Sequence, residues 1–420
     1  MLVTSTSRTS RMGELSLEEL RLRVPLNWND PADGREIGIF ARIATRTGGE
    51  HLPYLVFLQG GPGHESPRPS APPVRPAWLR AALEHYRVVL LDQRGTGLST
   101  PVGPELLNGR SPAEAAEYLT RLRADAIVRD CEAVREHLGV ERWSTLGQSF
   151  GGFTTLHYLS VAGEAIDTAY ITGGLSAVGR HADEVYALCY EKMRHANEAY
   201  YRRFPEDRDR VRALAEAARA GELVLPDGEV LSVSRLRSLG HLLGSDDGWI
   251  SLHWLLEREA HSSAFRHELA GLMPFDARNP LYAVVHESSY ADGCVTGWSA
   301  ERTMPQDFRE DETLLTGEHV AREWFETVPG LRPWREVAEI LAEHEWPALY
   351  DAEAIAGSGV RGAAAVYVND VFVPLEFSLE TGRLMPGMRL HVTSEHEHSG
   401  LRTGSVLEHL IELAQGRRLR

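Results

Sequence analysis

Cysteine is scarce in this 420-residue chain, and its few cysteines form no recognisable pattern. Cys131, Cys189 and Cys294 are far apart, and none belongs to a Cys-x-x-Cys pair. An odd number of widely spaced cysteines argues against a disulfide framework and against a zinc site. We therefore expect no bound metal, and a reducing cytoplasm as the compartment.

Long apolar runs and an excess of basic residues are also missing. No run of about 18 apolar residues occurs, so we expect no membrane-spanning helix. Residues 1–12 are rich in Ser, Thr and Arg without an apolar core, so no signal peptide is expected. The formal net charge is -16, with 60 acidic against 44 basic residues. This balance disfavours nucleic acid and anionic membrane surfaces as partners.

The chain has an ordinary globular composition, with 43% hydrophobic and 25% charged residues. Short apolar or alternating runs typical of strands occur at residues 22–28, 37–44, 55–58, 87–91, 143–146, 169–173, 363–368 and 388–393. The first two read as an antiparallel pair, and residues 1–15 read as frayed. Helical spacing at 112–138 and 406–413 completes a strand–helix rhythm. Such a rhythm predicts an α/β fold with a mostly parallel central sheet.

Residues 179–350 interrupt this rhythm. They are rich in helix formers, and no strand is predicted in them. Helices are predicted at 185–204, 211–220, 231–243, 249–260 and 318–324. We interpret this segment as a helical cap inserted into a core made of residues 1–178 and 351–420. A cap of this kind shapes the pocket beside the sheet, although a second domain without a role in recognition is the alternative.

The stretch Gly147-Gln-Ser149-Phe-Gly151 follows a β-prone run and precedes helix-compatible sequence. This is the strand–turn–helix context of a nucleophile elbow, where small residues two before and two after the serine let the strand and helix approach. The pattern also occurs as a glycine-rich turn with a solvated serine. Ser149 is therefore a candidate nucleophile.

A serine nucleophile requires a base that a carboxylate orients, and in this fold the chain order is Ser, acid, His. Asp370 directly follows one predicted strand, and His398 lies in the loop after the next. Both would lie at strand ends near Ser149. Other acids and another histidine remain alternatives for these two positions: Asp351, Glu376 and His396.

The loop Gln59-Gly-Gly-Pro-Gly63 also begins at a strand end. Its glycines let the backbone approach a substrate, and its proline restricts the loop. A tetrahedral intermediate requires N–H groups aimed at its oxyanion. We assign one donor to Gly60 or Gly61 and the other to Phe150. The alternative is an ordinary Gly-Pro turn.

Together the motifs GGPG, DQRGTGLS, GQSFGG, VND and EHSG, which begin at residues 60, 92, 147, 368 and 397, resemble the prolyl aminopeptidase (proline iminopeptidase) family of α/β-hydrolases. The resemblance extends from about residue 55 to residue 398. It implies an α/β-hydrolase fold with an inserted helical cap, and removal of an N-terminal residue, preferably proline, from peptides. It also implies that Ser149 is the nucleophile, Asp370 the orienting acid and His398 the base.

The same resemblance implies that cap carboxylates bind the free α-ammonium group of the substrate. The stretch from His286 to Tyr290 is similar to the family segment that carries one such glutamate, here Glu287. Glu257 is a weaker second candidate, and a surface carboxylate is the alternative for each. The family usually has histidine where this chain has Gln59, which bears on substrate preference.

The leading hypothesis is a cytoplasmic serine aminopeptidase of the proline iminopeptidase type. It would need no metal or cofactor, and its partner would be a peptide or small amide with a free N-terminal amine. The first alternative is an esterase or amidase that acts on a small non-peptide substrate. The second is a non-catalytic binding protein with a hydrolase fold. The sequence gives no oligomeric state.

Overall fold

The computed structural model describes residues 6–418. Within that range, the strands are β1 (Thr6–Met12), β2 (Leu15–Pro25), β3 (Glu36–Arg46), β4 (Tyr54–Leu58), β5 (Arg87–Asp92), β6 (Trp143–Gln148), β7 (Ile166–Thr172), β8 (Arg361–Tyr367) and β9 (Met388–Thr393). They form one sheet in the order β1-β2-β3-β5-β4-β6-β7-β8-β9. The pairs β1/β2, β2/β3 and β3/β5 are antiparallel, and the remaining neighbours are parallel. The predicted mostly parallel sheet is confirmed.

The N-terminal strand corrects one expectation. Residues 1–15 were expected to be frayed, yet β1 pairs with β2 from Thr6 opposite Arg21 to Met12 opposite Leu15. Backbone hydrogen bonds to a neighbour organise an edge strand, so it does not need an apolar face. The polar sequence of β1 therefore carries no hydrophobic pattern that predicts it. Residues 1–5 lie outside the described range.

The α-helices are α1 (Ala77–Leu83), α2 (Pro112–Thr120), α3 (Ala124–His137), α4 (Phe150–Ala162), α5 (Ala182–Arg203), α6 (Asp207–Arg219), α7 (Val233–Arg237), α8 (Gly248–Leu256), α9 (Ser263–Leu272), α10 (Pro280–Val285), α11 (Ser299–Arg302), α12 (Gln306–Glu310), α13 (Trp324–Thr327), α14 (Arg335–Ala342), α15 (Ala352–Gly357), α16 (Leu375–Gly382), α17 (Gly400–Thr403) and α18 (Val406–Ala414). Short 3-10 helices cover Pro31–Asp33, Pro104–Leu107, Gly163–Ala165, Ser238–Gly244, Glu287–Tyr290 and Arg332–Trp334. In residues 6–418 none of the helices has both the length and the apolar character to cross a bilayer.

The helical spacing over residues 112–138 corresponds to two helices, α2 and α3, separated at Arg121–Arg123. The buried guanidinium of Arg94 donates a hydrogen bond of 2.6 Å to the Arg121 carbonyl. In a continuous helix that carbonyl would accept from the N–H four residues later. The spacing of apolar residues continues across the break because both segments pack on the same core.

The strands β7 and β8 are neighbours in the sheet, and helices α5 to α15 lie between them in the chain. The helix expected at 318–324 is absent: Glu318 lies in an irregular segment, and helix begins only at Trp324. Gly317 precedes Glu318, and the Thr316 N–H is bonded to the Arg237 carbonyl at 2.8 Å. This tertiary hydrogen bond holds the segment away from a helical path.

Candidate active site

Ser149 lies in the turn between β6 and α4, with φ 54° and ψ −124°. A positive φ is uncommon for a residue other than glycine and is typical of functional turns. The Ser149 N–H donates to the Thr172 carbonyl of the neighbouring strand at 3.0 Å. The strained serine is therefore held by the sheet itself, as a nucleophile elbow requires.

The glycines on either side of the serine permit this turn. A Cβ on Gly147 would lie 2.4 Å from the Gly151 carbonyl oxygen, and a Cβ on Gly151 would lie 1.9 Å from the Leu58 carbonyl oxygen. Real Cβ atoms do not approach oxygen so closely. The close approach of strand and helix therefore excludes any side chain at these two positions.

Asp370 and His398 form a hydrogen-bonded pair at the ends of β8 and β9. His398 Nδ1 lies 2.6 Å from Asp370 Oδ2. The other oxygen of Asp370 accepts from the backbone N–H groups of Phe372 and Val373, each at 2.9 Å. Because an ionised carboxylate only accepts, Nδ1 carries the proton and Nε2 is left as the basic nitrogen.

The alternative acids and histidine have other partners. Asp351 caps α15 by accepting from the Ala354 N–H, and Glu376 pairs with Lys192 at 2.7 Å. His396 Nδ1 lies 2.6 Å from Asp246 Oδ2, in the turn before α8. The structure thus places these residues in capping and surface contacts, while Asp370 and His398 are brought together.

The pKa of His398 predicts the acid side of a pH–rate profile. Burial alone lowers this pKa, but the charge of Asp370 and the hydrogen bond to it prevail, so the pKa is raised above 6.5. A general base must be neutral, so the rate of a hydrolysis that His398 assists falls as pH falls through this raised pKa. We expect the midpoint of the acid limb to lie above pH 6.5.

The glycine loop after β4 lies beside the nucleophile. A Cβ on Gly60 would lie 3.0 Å from the Ser149 Cβ, whereas one on Gly61 would lie 2.8 Å from His64 Nδ1. Phe150 is the first residue of α4, so its N–H has no partner within the helix. Gly60 and Phe150 therefore both lie next to the serine, which is where backbone donors for an oxyanion would be needed.

A cavity of about 500 Å³ opens above Ser149. On the sheet side it is lined by Gln59, Gly60, Gly61, Gln148, Ser149 and His398. On the side of the helical insertion it is lined by His241, Met273, Phe275, Tyr282 and Glu318. The candidate nucleophile and base thus share one partly apolar chamber with the insertion.

The structure does not bring Glu287 or Glu257 to this cavity. The carboxylate of Glu287 accepts from the backbone N–H groups of Ser299 and Ala300 at 3.0 and 2.9 Å, which caps α11. Glu257 is 46% exposed at the end of α8, with its carboxylate 3.6 Å from His253 Nε2. Neither lines the chamber above Ser149. The assignment of these two glutamates to the substrate ammonium is therefore corrected.

Glu318 is the glutamate that lines the cavity, and the sequence interpretation missed it. Its carboxylate accepts from the Tyr282 hydroxyl and lies 4.0 Å from His286 Nε2. Burial raises the pKa of Glu318 above its usual value of 4.5. The only available signal was the Gly317–Glu318 step, which is more typical of a loop than of the helix expected there.

Arg402 is a second cavity residue that the sequence interpretation missed. It lies on α17, one turn after His398, and its Nη2 donates to Gln148 Oε1 at 3.1 Å. Gln148 immediately precedes the nucleophile. The cavity therefore presents a carboxylate and a guanidinium on its wall.

The loop that begins at Asp92 supports the site from outside the cavity. Asp92 accepts from the N–H groups of Ser66 and Leu98 at 3.1 and 2.8 Å. Arg94 makes a two-point ion pair with Asp130, with N–O distances of 2.6 and 2.7 Å. These buried contacts order the segment next to the glycine loop. The charged side chains of the segment that begins at Asp92 therefore make structural contacts and take no part in the reaction.

Comparisons with known proteins agree with this geometry. A family model described as the alpha/beta hydrolase fold matches residues 53–224. A proline iminopeptidase of Aeromonas sobria is 39% identical over 93% of this chain and 94% of its own length. The proline iminopeptidase aneH of Aspergillus aculeatus is 30% identical over 96% and 95% of the two chains. A serine hydrolase structure from Cycloclasticus zankles covers 98% of both chains at 13% identity and a TM-score of 0.41. From the two full-length matches, the chain belongs to the proline iminopeptidase family of α/β-hydrolases.

Proposed function

We propose that this protein is a serine aminopeptidase that releases an N-terminal residue, preferably proline, from peptides. The observation that carries the proposal is that Ser149, His398 and Glu318 line one cavity, while Asp370 is hydrogen-bonded to His398. Ser149, His398 and Asp370 supply acyl-transfer chemistry. Glu318 supplies a negative charge where a free amine would bind. Family membership supports the choice of proline.

In the first half of the reaction, Ser149 Oγ attacks the carbonyl carbon of the first residue while His398 Nε2 takes the hydroxyl proton. The oxyanion that forms is stabilised by the N–H groups of Phe150 and of Gly60 or Gly61. His398 then gives its proton to the leaving amine as the peptide bond breaks. The acyl group remains on Ser149.

In the second half, water takes the place of the leaving amine. His398 removes a proton from that water, and the resulting nucleophile attacks the acyl carbon. Collapse of the second tetrahedral intermediate returns the proton to Ser149 and releases the free amino acid. Asp370 keeps the imidazole in one tautomer through both halves and stabilises its positive form.

Glu318 and its surroundings account for the requirement for a terminal amine. A cation taken out of water needs an anionic partner, and of the two carboxylates that line the cavity, Glu318 is partly buried whereas Asp276 is exposed. Around it lie apolar and aromatic side chains that suit a small ring, among them Met273, Phe275 and Phe372. A residue with a blocked amine would leave the carboxylate without a cationic partner.

The domain boundaries form part of the proposal. We assign residues 179–350 to a cap and residues 1–178 and 351–420 to the hydrolase core. The last strand before the cap ends at Thr172, and the next begins at Arg361. Residues of the cap line the cavity above Ser149, so the cap would select the size and charge of the substrate's first residue.

The experiment that tests the proposal compares three substrates: proline β-naphthylamide, its N-acetyl derivative and a short-chain p-nitrophenyl ester. Hydrolysis of the free-amine amide at least about a hundredfold faster than the acetylated amide is expected, because only the first can pair with the carboxylate. Turnover of the ester without turnover of the proline amide would replace the aminopeptidase with an esterase. Lack of turnover on all three would contradict both.

Replacing Glu318 with glutamine is expected to lower kcat/KM for proline β-naphthylamide by about a hundredfold, since loss of the charge leaves the ammonium without an anionic partner. Steady-state kinetics measure the effect. Glu257→Gln is the matched control, because Glu257 is a half-exposed cap glutamate outside the cavity, and it should change kcat/KM less than about twofold. Equal losses in the two variants would contradict the role of Glu318.

The same Glu318→Gln variant assigns the acid limb of the pH profile. If His398 titrates in that limb, the limb persists when Glu318 is replaced and its midpoint moves to lower pH, because the charge of Glu318 contributes to the raised pKa of His398. A midpoint that disappears with Glu318 would show that the carboxyl group, and not the imidazole, controls the limb.

A further inference from the structure

Arg402 lines the cavity but takes no part in the proposed steps of hydrolysis. Arg402 lines the same chamber as Ser149 and His398, and the residue is exposed. Within residues 6–418, the hydrogen bond found for it goes to the neutral side chain of Gln148, and it forms no ion pair with a carboxylate. Most of its five N–H donors are therefore available to a ligand.

The other arginine on the cavity wall is differently placed. Arg278 is 66% exposed, and its Nη2 lies 2.5 Å from Glu65 Oε1. Its charge is already compensated at the surface. Arg402 thus brings a positive charge to the cavity without a protein anion bound to it.

The charges of the chamber are arranged for a molecule with two charged ends. Glu318 and Arg402 both line the chamber, and in the described residues they do not pair with each other. Glu318 is the proposed partner of an N-terminal ammonium group. The matching partner for a guanidinium is a carboxylate, which it can bind through two parallel hydrogen bonds.

Substrate geometry places a carboxylate on the Arg402 side. His398 must reach the nitrogen of the leaving amine to protonate it, so the leaving residue lies next to His398. In a dipeptide, the carboxylate carbon of that residue is only about 2.5 Å from its nitrogen, by standard backbone lengths and angles. Arg402 is held beside this point, because α17 follows His398 directly and Gln148 ties the guanidinium to the serine turn.

We infer that Arg402 is a specificity-determining residue that binds the C-terminal carboxylate of the leaving residue, so that free dipeptides are preferred substrates. The inference rests on the proposed aminopeptidase function and extends it to the substrate class. A longer peptide places an uncharged peptide group where a dipeptide places its carboxylate. It therefore loses the ion pair.

The test measures kcat/KM for Pro-Gly and for its C-terminal amide, Pro-Gly-NH2, with the wild type, Arg402→Gln and Arg278→Gln. We expect the wild type to prefer Pro-Gly by about ten- to hundredfold, the usual range for a charge-assisted interaction. Arg402→Gln should reduce that preference to about twofold or less. Arg278→Gln is the matched control, since it removes a compensated arginine of the same wall, and should keep the wild-type ratio.

Several outcomes would overturn the inference. A wild-type ratio near one would do so without any variant. An equal loss on Pro-Gly and Pro-Gly-NH2 in Arg402→Gln would mean that Arg402 only supports Gln148 and the serine turn. If the wild type cleaves proline β-naphthylamide but shows either result, the inference fails while the aminopeptidase function stands. If it cleaves neither that amide nor the dipeptides, both fail.

Discussion

Replacing Ser149 with alanine is expected to lower kcat for proline β-naphthylamide by about a millionfold, the size of effect known for serine nucleophiles. Without the hydroxyl no acyl-enzyme can form, and His398 has no nucleophile to activate. Steady-state and single-turnover kinetics measure the loss, and a fluorophosphonate probe that labels the wild type should leave the variant unlabelled.

The fold should tolerate this change. Alanine keeps the Cβ of serine, so the strained turn with φ 54° is neither relieved nor worsened. We expect the free energy of unfolding to change by less than about 1 kcal/mol. Ser245→Ala is the matched control, because Ser245 lines the same cavity and its hydroxyl donates to the Leu242 carbonyl. Comparable losses in Ser149→Ala and Ser245→Ala would contradict the nucleophile assignment.

Replacing Asp370 with asparagine is expected to lower kcat by about ten-thousandfold, as in other serine triads that lose this carboxylate. The structure gives the reason. One carboxylate oxygen accepts from the N–H groups of Phe372 and Val373, so the amide oxygen of asparagine must take that position. The amide nitrogen then faces His398 Nδ1 and donates to it, which moves the imidazole proton to Nε2. The nitrogen that must accept the serine proton is then blocked.

A second measurement, the pH profile of the variant, distinguishes this mechanism from misfolding. Loss of the Asp370 charge removes the largest of the influences that raise the pKa of His398, so the acid limb of the pH profile should move to lower pH. Asp351→Asn is the control, because Asp351 was the rival acid and caps α15, a role that asparagine also fills. It should retain activity within about twofold. An unchanged acid limb in Asp370→Asn would contradict the coupling.

The main architecture could be predicted from local pattern. The apolar runs that became β4 and β5 are buried strands, and their sequence is apolar because both faces of the sheet are covered. The serine turn was equally predictable, since Gly147 and Gly151 allow contacts that no larger residue could make. The closeness of Asp370 and His398 was predictable as well, because both follow strands whose carboxyl ends meet at one edge of a parallel sheet.

Local sequence pattern gave wrong predictions where the role of a residue depends on partners far away in the chain. Glu287 looked like a ligand for an ammonium group, but its carboxylate is occupied by backbone N–H groups of α11. Glu318 was placed on a helix that does not form, because the hydrogen bond between Thr316 and Arg237 holds the segment in another path. Sequence spacing contains no information about either contact.

The sequence by itself therefore determined the buried strands of the sheet and the nucleophile turn, since each follows from backbone sterics or from burial along a single element. It left Asp351, Glu376 and His396 as alternatives within the candidate triad, and only the folded chain gives them other contacts. Tertiary structure alone decided which charges line the cavity. Glu318 and Arg402 are 84 residues apart in the chain (402 − 318), and they share a cavity only because the insertion folds back over the sheet. The role of a charged side chain depends on the groups around it, and packing between distant segments of the chain determines which groups those are.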